Sequence, residues 1–420
     1  MKNFIFESYG FSPKTKTATF TYSFDGADFF TEEITYKNVA DTYDNDALER
    51  ALFLSFVLVG VSYYKLFPGA GIEWRVGQID AWQSEFLNKV YQEGMGQFAY
   101  ENELTRDDLA HFVQTGAGQS PVKYKGEGVL SLQSGGKDSL LTAQLLSEKK
   151  IAFDSFYISS SDKYPAILKN IGDSVALAHR KIDIPAINAG REKGGLNGHV
   201  PVTFIVMSFA LIQGILLNKN KILASIGHEG EEPHDWIGDL AVNHQWSKTW
   251  PAEQLFSEYV ATYISADMAI GSPLRKYSEL RIAELFVEKA WQAYGHSFSS
   301  CNLANYMQGA DNSELKWCGE CPKCANSYLL FAPFLNADEL QSIFNGQDLF
   351  VKESLTDTFK GLLGIDGIMK PFECVGETEE LRLAYHMAQN CGGYSDIGFI
   401  VPESSFDYLE EYPSQSTVAL

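Results

Sequence analysis

Ser134-Gly135-Gly136-Lys137-Asp138-Ser139 stands between an apolar run, Val129 to Leu132, and a segment, Lys137 to Leu146, with apolar residues at helical spacing. A strand that passes through glycines into a helix start makes an anion site. The glycines let the backbone approach closely, and the unpaired N–H groups and the helix dipole face the negative charge. The Gly-x-x-x-x-Gly-Lys-Ser/Thr spacing of a Walker loop is absent. A second chemical stretch is Cys301 with Cys318-Gly319-Glu320-Cys321-Pro322-Lys323-Cys324. Two residues separate neighbours within the triplet, and sixteen lie between Cys301 and Cys318. Four thiolates so crowded suit a tetrahedral, structural Zn²⁺. A four-iron four-sulfur cluster also uses the C-x₂-C-x₂-C opening, but its next cysteine would fall where Tyr328 stands, so zinc is favoured.

Two further stretches carry titratable groups. Gly227 to Trp250 is polar and holds His228, Glu229, His234, Asn243, His244 and Lys248. Its length and polarity make it a substrate-binding loop, although any single imidazole there is more often an ordinary hydrogen-bonding group. Pro371 to Glu380 carries Cys374 and Glu377, which could move protons if they faced a ligand. On residue chemistry alone, Cys374 reads as another buried cysteine, like Cys391, and the glutamates as caps of a helix from Glu377 to Gln389.

The elements that must position these groups follow from periodicity. Residues 1 to about 38 read as three strands rich in aromatic and β-branched residues, with Asp25-Gly26 as a turn. Helices are expected over Asp46 to Tyr64, capped by Asp44 or Asn45, and over Ile79 to Leu104 with a break near Gly94-Met95-Gly96. Gln114 to Gly128 reads as a linker. From Gly128 strand and helix alternate: strands at Val129–Leu132, Ala152–Ser159, His179–Ile184 and Lys221–Ile226, and a long apolar helix over Val200–Leu217. Such alternation predicts a parallel sheet covered by helices, with ligands at the carboxyl ends of its strands. Helices are also expected from Ser272 onward, at Ala325–Leu335 and at Asp338–Phe344; the tail beyond Val401 reads as poorly packed. The predicted fold is α/β in three parts: an N-terminal α+β domain over 1–115, a parallel-sheet domain carrying the glycine loop over 126–300, and a cysteine-bearing region over 301–420.

The chain has 33 basic and 54 acidic residues, a formal charge of −21. That balance, with no long basic run, argues against a nucleic-acid partner and for a small-molecule substrate. No signal peptide is read at Met1 to Gly10, and the apolar runs Ala51–Tyr64 and Val200–Leu217 fall short of a membrane span. Four of the six cysteines cluster, which fits a metal site in a reducing cytoplasm better than disulfides. The oligomeric state is left open.

Ser-Gly-Gly-x-Asp-Ser resembles the signature of the PP-loop ATP pyrophosphatases, with their adenine nucleotide alpha hydrolase-like fold. The resemblance implies that ATP is split to AMP and pyrophosphate while a substrate oxygen is adenylated. Ser134, Gly135, Gly136 and Ser139 would cradle the phosphates, Lys137 would add a cation, and Asp138 would hold Mg²⁺. With His199-Val200-Pro201-Val202-Thr203 and the cysteine triplet, the chain is also similar to 7-cyano-7-deazaguanine synthases, a much shorter family without the first hundred residues. Four further blocks widen the likeness: Gly60-Val61-Ser62-Tyr63-Tyr64-Lys65, Val242 to Lys248, Trp317 to Cys324 and Pro371 to Gly376. Together, from about residue 50 to 390, they resemble the UDP-N-acetyl-muramoyl-L-alanyl-L-glutamate epimerases. That implies a nucleotide-sugar dipeptide as substrate, activated at its glutamyl carboxylate and inverted at the α-carbon. Cys374 becomes the candidate for proton transfer, with Glu377, His228 and His244 behind it. His199, His228, Glu229, Asn243, His244, Lys248, Tyr64 and Lys65 become candidate substrate contacts.

Overall fold

The computed structural model describes residues 2–161, 163–307 and 312–419. Among them, nine strands share one sheet, in the order β11-β8-β5-β6-β7-β3-β2-β1-β4. In chain order these are β1 Asn3–Ser12, β2 Thr17–Phe24, β3 Asp28–Tyr36, β4 Gly71–Trp74, β5 Val129–Leu132, β6 Phe153–Ser159, β7 Ser174–Lys181, β8 Lys221–Leu223 and β11 Ala269–Gly271. A separate hairpin joins β9 Asp235–Ile237 to β10 Leu240–Val242. From β11 to β7 every pairing is parallel. β3 then adds antiparallel to β7, with Ile34 opposite Arg180, and the N-terminal meander continues the sheet. The Gln114–Gly128 stretch therefore links two parts of one sheet.

The principal helices are α1 Asn45–Val59, α2 Ala81–Gln92, α3 Gly96–Glu101, α4 Lys137–Glu148, α5 Val202–Leu216, α6 Glu279–Lys289, α7 Pro322–Phe331 and α8 Thr378–Cys391. Asp44 caps α1, accepting the Ala47 N–H at 2.9 Å. The expected break between α2 and α3 is a 3₁₀ turn over Glu93–Met95. The third strand of the parallel run begins at Ser174, earlier than His179, and stops at Lys181. It stops because Asp183 and Pro185 start the next helix, Ile184–Glu192.

Neighbouring residues of a strand face opposite ways, so the sheet supports two cores. Leu130 and Ile222 enter the first, with the aromatic meander, α1 and α5. Val129 and Leu223 enter the second, with α4, α6, α7 and α8. The Asn45–Tyr64 run is long and apolar enough to cross a membrane, but it is almost wholly buried in the first core. The tail is better anchored than its composition indicated. The Tyr412 N–H donates to Lys276 O at 2.9 Å, the Thr417 hydroxyl donates to Glu253 at 2.7 Å, and Val418 is buried.

Candidate functional site

A cleft of about 970 Å³ opens where β5, β6 and β8 end, lined by Ser134, Gly136, Asp138 and Ser139 on one side and Lys248 and Lys323 on another. Ile158, Val206 and Met207 add an apolar wall. The loop has the conformation an anion site needs. Gly135 has φ +81°, and a Cβ there would meet Leu315 at 2.4 Å, so glycine is required. Gly136 caps α4 without any side-chain hydrogen bond to the helix's N–H groups. Ser139 accepts the Ser134 N–H at 3.3 Å and donates to Gly136 O at 3.1 Å, which holds both hydroxyls at the turn.

Lys137 departs from the expected role. Its ammonium is buried between Asp138 at 2.7 Å and Glu279 at 2.9 Å, tying the start of α4 to the start of α6. It is absent from the cleft wall, whose cations include Lys248 and Lys323. Burial opposes its charge, but Asp138 and Glu279 outweigh that and hold its pKa above the ordinary lysine value. Glu279 is pushed up by burial and by the nearby Glu229 and Asp138 carboxylates. Both directions hold together because three carboxylates here share the ammonium groups of Lys137 and Lys248, so negative charge is in excess. Such an excess is what a divalent cation at Asp138 would relieve.

Lys248 leans on Glu229 at 3.4 Å, and although burial opposes its charge, nearby acidic groups, Glu229 and Glu279 among them, hold its pKa above the ordinary lysine value. Its backbone is fixed by Arg275, which is fully buried. The Arg275 guanidinium donates to Lys248 O and Gly227 O, each at 2.7 Å, and pairs with Glu253 at 2.7 Å. One side chain thus clasps both ends of the polar loop. Asn243 belongs to the same scaffold, donating to Gly230 O at 2.7 Å and accepting the Gln245 N–H at 2.8 Å. With both ends of its buried amide engaged, it holds the loop rather than a ligand.

Cys374 lies half-buried on a loop that the cysteine cluster anchors. The Lys323 ammonium donates to Cys374 O at 2.7 Å, and the Gly376 N–H donates to Asn326 at 2.9 Å. Asn302, next to Cys301, donates to Glu373 at 2.6 Å, and Gln245 donates to Val375 O at 2.8 Å. The sulfurs of Cys301, Cys318, Cys321 and Cys324 lie within 4.8 Å of one another and could hold a metal ion. Three of their separations are 3.6 to 3.7 Å. A tetrahedron with bonds of about 2.3 Å has edges of about 3.8 Å, so the fit is to one four-coordinate ion; an iron–sulfur cube would spread its sulfurs farther. Glu377 stands at the N-cap position of α8, but its side chain turns away from the helix to accept the Glu231 N–H at 3.1 Å, and burial raises its pKa.

A third group of residues gathers where α3, the β9–β10 hairpin and the 371–376 loop meet. His199 and His244 have ring centroids 4.5 Å apart, and His234 lies against Phe372. Burial drives the three imidazoles toward neutrality, His199 to about 3 and His234 and His244 to about 4. Lys65 joins them, bonded to Gly198 O at 2.9 Å and lowered by burial to about 8. Two expected contacts lie elsewhere. Tyr64 is sealed in the aromatic core, where its hydroxyl accepts the Gly69 N–H at 2.9 Å. His228 stacks on Tyr412 at 3.8 Å and bonds Gln415 through Nδ1, so the tail covers it.

Comparison with known proteins decides the lineage of this arrangement. Residues 1–272 match the model of the MurL N-terminal domain, and residues 297–405 match that of the MurL C-terminal domain. The chain belongs to the MurL family. Relatives named UDP-N-acetyl-alpha-D-muramoyl-L-alanyl-L-glutamate epimerase include that of Salinispora tropica, 32% identical over 97% of this chain and 90% of the relative. That of a Micromonospora species is 33% identical over 97% and 92%. That of Xanthomonas oryzae pv. oryzae is 30% identical over 91% and 85%. The MurL N-terminal match ends at residue 272, just after β11, so it takes in the whole sheet. Lys323, Glu279, Arg275 and Gln97 are parts of this candidate site that sequence reasoning did not select. Lys323 alone carried a local signal, its place inside Cys-Pro-Lys-Cys.

Proposed function

We propose that this chain inverts the terminal glutamyl residue of UDP-MurNAc-L-Ala-L-Glu from L to D, with ATP and Mg²⁺, in the cytoplasm. Removing the α-proton beside a free carboxylate would build a second negative charge next to the first. In this reading a carboxylate oxygen attacks the α-phosphorus of ATP, pyrophosphate leaves, and the carboxylate becomes a neutral acyl group. That group accepts the electron pair of the α-C–H bond. Water then cleaves the acyl-adenylate, releasing AMP and the D-epimer, which makes the cycle directional.

In this PP-loop reading, Ser134, Gly135, Gly136 and Ser139 hold the pyrophosphate moiety, Asp138 holds Mg²⁺ within the carboxylate-rich pocket, and Lys248 and Lys323 meet the charge that develops at the acyl phosphate. Lys137 acts behind them by fixing Asp138. Cys374 moves a proton at the α-carbon, and Lys65 with His199 and His244 receives the polar substrate. The four thiolates hold Zn²⁺, which keeps the Cys374 loop in register and takes no part in the chemistry. The observation that carries the reading is Lys323. It lines the glycine-loop cleft and bonds the backbone of Cys374, which supports a site that couples activation to proton transfer.

The test is incubation with ATP, Mg²⁺ and the dipeptide substrate in deuterium oxide. Pyrophosphate, AMP and deuterium at the glutamyl α-carbon are expected together. Nucleotide cleavage without label would make the chain a ligase or a simple activator. A Cys374→Ser variant that washes out the α-proton at the full rate would remove Cys374 from the mechanism.

A further inference from the structure

An inversion needs two proton-transfer groups, one on each face of the α-carbon, and the cysteine accounts for one. His244 and Cys374 lie on segments bonded to each other. Gln245, the residue after His244, donates to Val375 O, the residue after Cys374, at 2.8 Å.

His244 is also held in one tautomer. Its Nδ1 lies 2.6 Å from Gln97 Oε1, and the Gln97 amide N–H₂ donates to Glu101 at 2.7 Å. Because the Gln97 nitrogen is engaged by a carboxylate, its oxygen must face the imidazole and accept. Nδ1 therefore carries the proton, and Nε2 is left with a lone pair. The chain backbone is shaped to allow this. Gly96 approaches the hairpin so closely that a Cβ would meet Ala241 O at 2.1 Å, and only glycine lets α3 bring Gln97 beside His244.

We infer that His244 is the second proton-transfer group of the inversion, working opposite Cys374, and that Gln97, backed by Glu101, is its positioning residue. The inference rests on the epimerase reading above. His244 Nε2 takes the α-proton from one face, and the C–H electron pair moves into the activated acyl group. As that pair returns to the α-carbon, the Cys374 thiol gives its proton to the other face. The imidazolium and thiolate that remain are reset by proton exchange with solvent.

The experiment gives wild-type protein, His244→Asn and Gln97→Leu the L- and D-glutamyl substrates separately, with ATP and Mg²⁺ in deuterium oxide, and follows pyrophosphate and α-deuteration. His244→Asn should still release pyrophosphate and lose inversion by at least about 100-fold. It should deuterate only one of the two epimers, with retention of configuration, through Cys374. Deuteration of both epimers, or its equal loss from both while pyrophosphate is still released, would overturn the assignment. Should His244→Asn lose pyrophosphate release as well, Gln97→Leu decides: kcat for inversion should fall about 10-fold at unchanged KM, and an unchanged kcat overturns the inference. Wild-type protein that releases no pyrophosphate would instead sink the epimerase reading itself.

Discussion

The Ser134–Ser139 turn and the Cys374–His244 region are built by different means. The first uses what one strand-turn-helix unit offers: a helix start that no side chain caps, two hydroxyls and an adjacent carboxylate, all within six residues. The second draws on α3, the β9–β10 hairpin, the cysteine cluster and the 371–376 loop, joined by Gln97, Lys323, Asn302 and Asn326. An extended anion can be met by backbone dipoles in series, so a local motif is enough. A proton on carbon must be met from a defined direction by a group of defined protonation state, and that takes side chains fixed from several sides.

The comparison can be broken at either side. The largest effect is expected from Asp138→Asn, which should cut pyrophosphate release and α-deuteration together by roughly 100- to 1000-fold, because both depend on activation. Arg275→Met leaves Glu253 buried without its cation and frees both ends of the polar loop. It should destabilise the fold by about 3–5 kcal/mol, read as a lower denaturant midpoint. Asn326→Ala removes the acceptor of the Gly376 N–H on the Cys374 side only. It should slow α-deuteration about 10-fold while pyrophosphate release stays within a factor of two or so; equal losses would mean that the two sides are one unit. The buried imidazoles set a pH dependence. Their folded pKa values, about 3 for His199 and about 4 for His234 and His244, lie below the unfolded value of 6.5. Between these limits the unfolded chain binds more protons, so stability falls as pH drops below about 6.5. His199→Gln should flatten that slope in thermal melts. The smallest effect is expected from Tyr412→Ala, which removes a stacked ring from His228 and should cost about 1 kcal/mol.

Much of the architecture is legible in the residues. The alternation after Gly128 gives a mostly parallel sheet, Asp44 starts α1, and the glycine pair near residue 95 breaks the α2–α3 run. The joining of β3 to β7 is not legible, because an edge pairing between strands about 140 residues apart leaves no periodicity in either. Lys137 misled for a related reason. Its position in the motif suggested a free cation, and only the approach of Glu279 from α6 turns it inward. Tyr64 and Lys65 are adjacent, yet one is sealed in the aromatic core while the other reaches Gly198.

By itself, the sequence determined the groups whose chemistry is complete within a few residues: the glycine turn with its two serines and Asp138, and the thiol triplet at Cys318, Cys321 and Cys324. Short spacing forces those atoms together in any fold that keeps the local conformation. The tertiary structure alone decided which cations line the cleft, which imidazole faces the cysteine loop, and that the tail returns to cover His228. Those outcomes depend on contacts between distant segments, where burial and the competition of several carboxylates for few ammonium groups choose the partners.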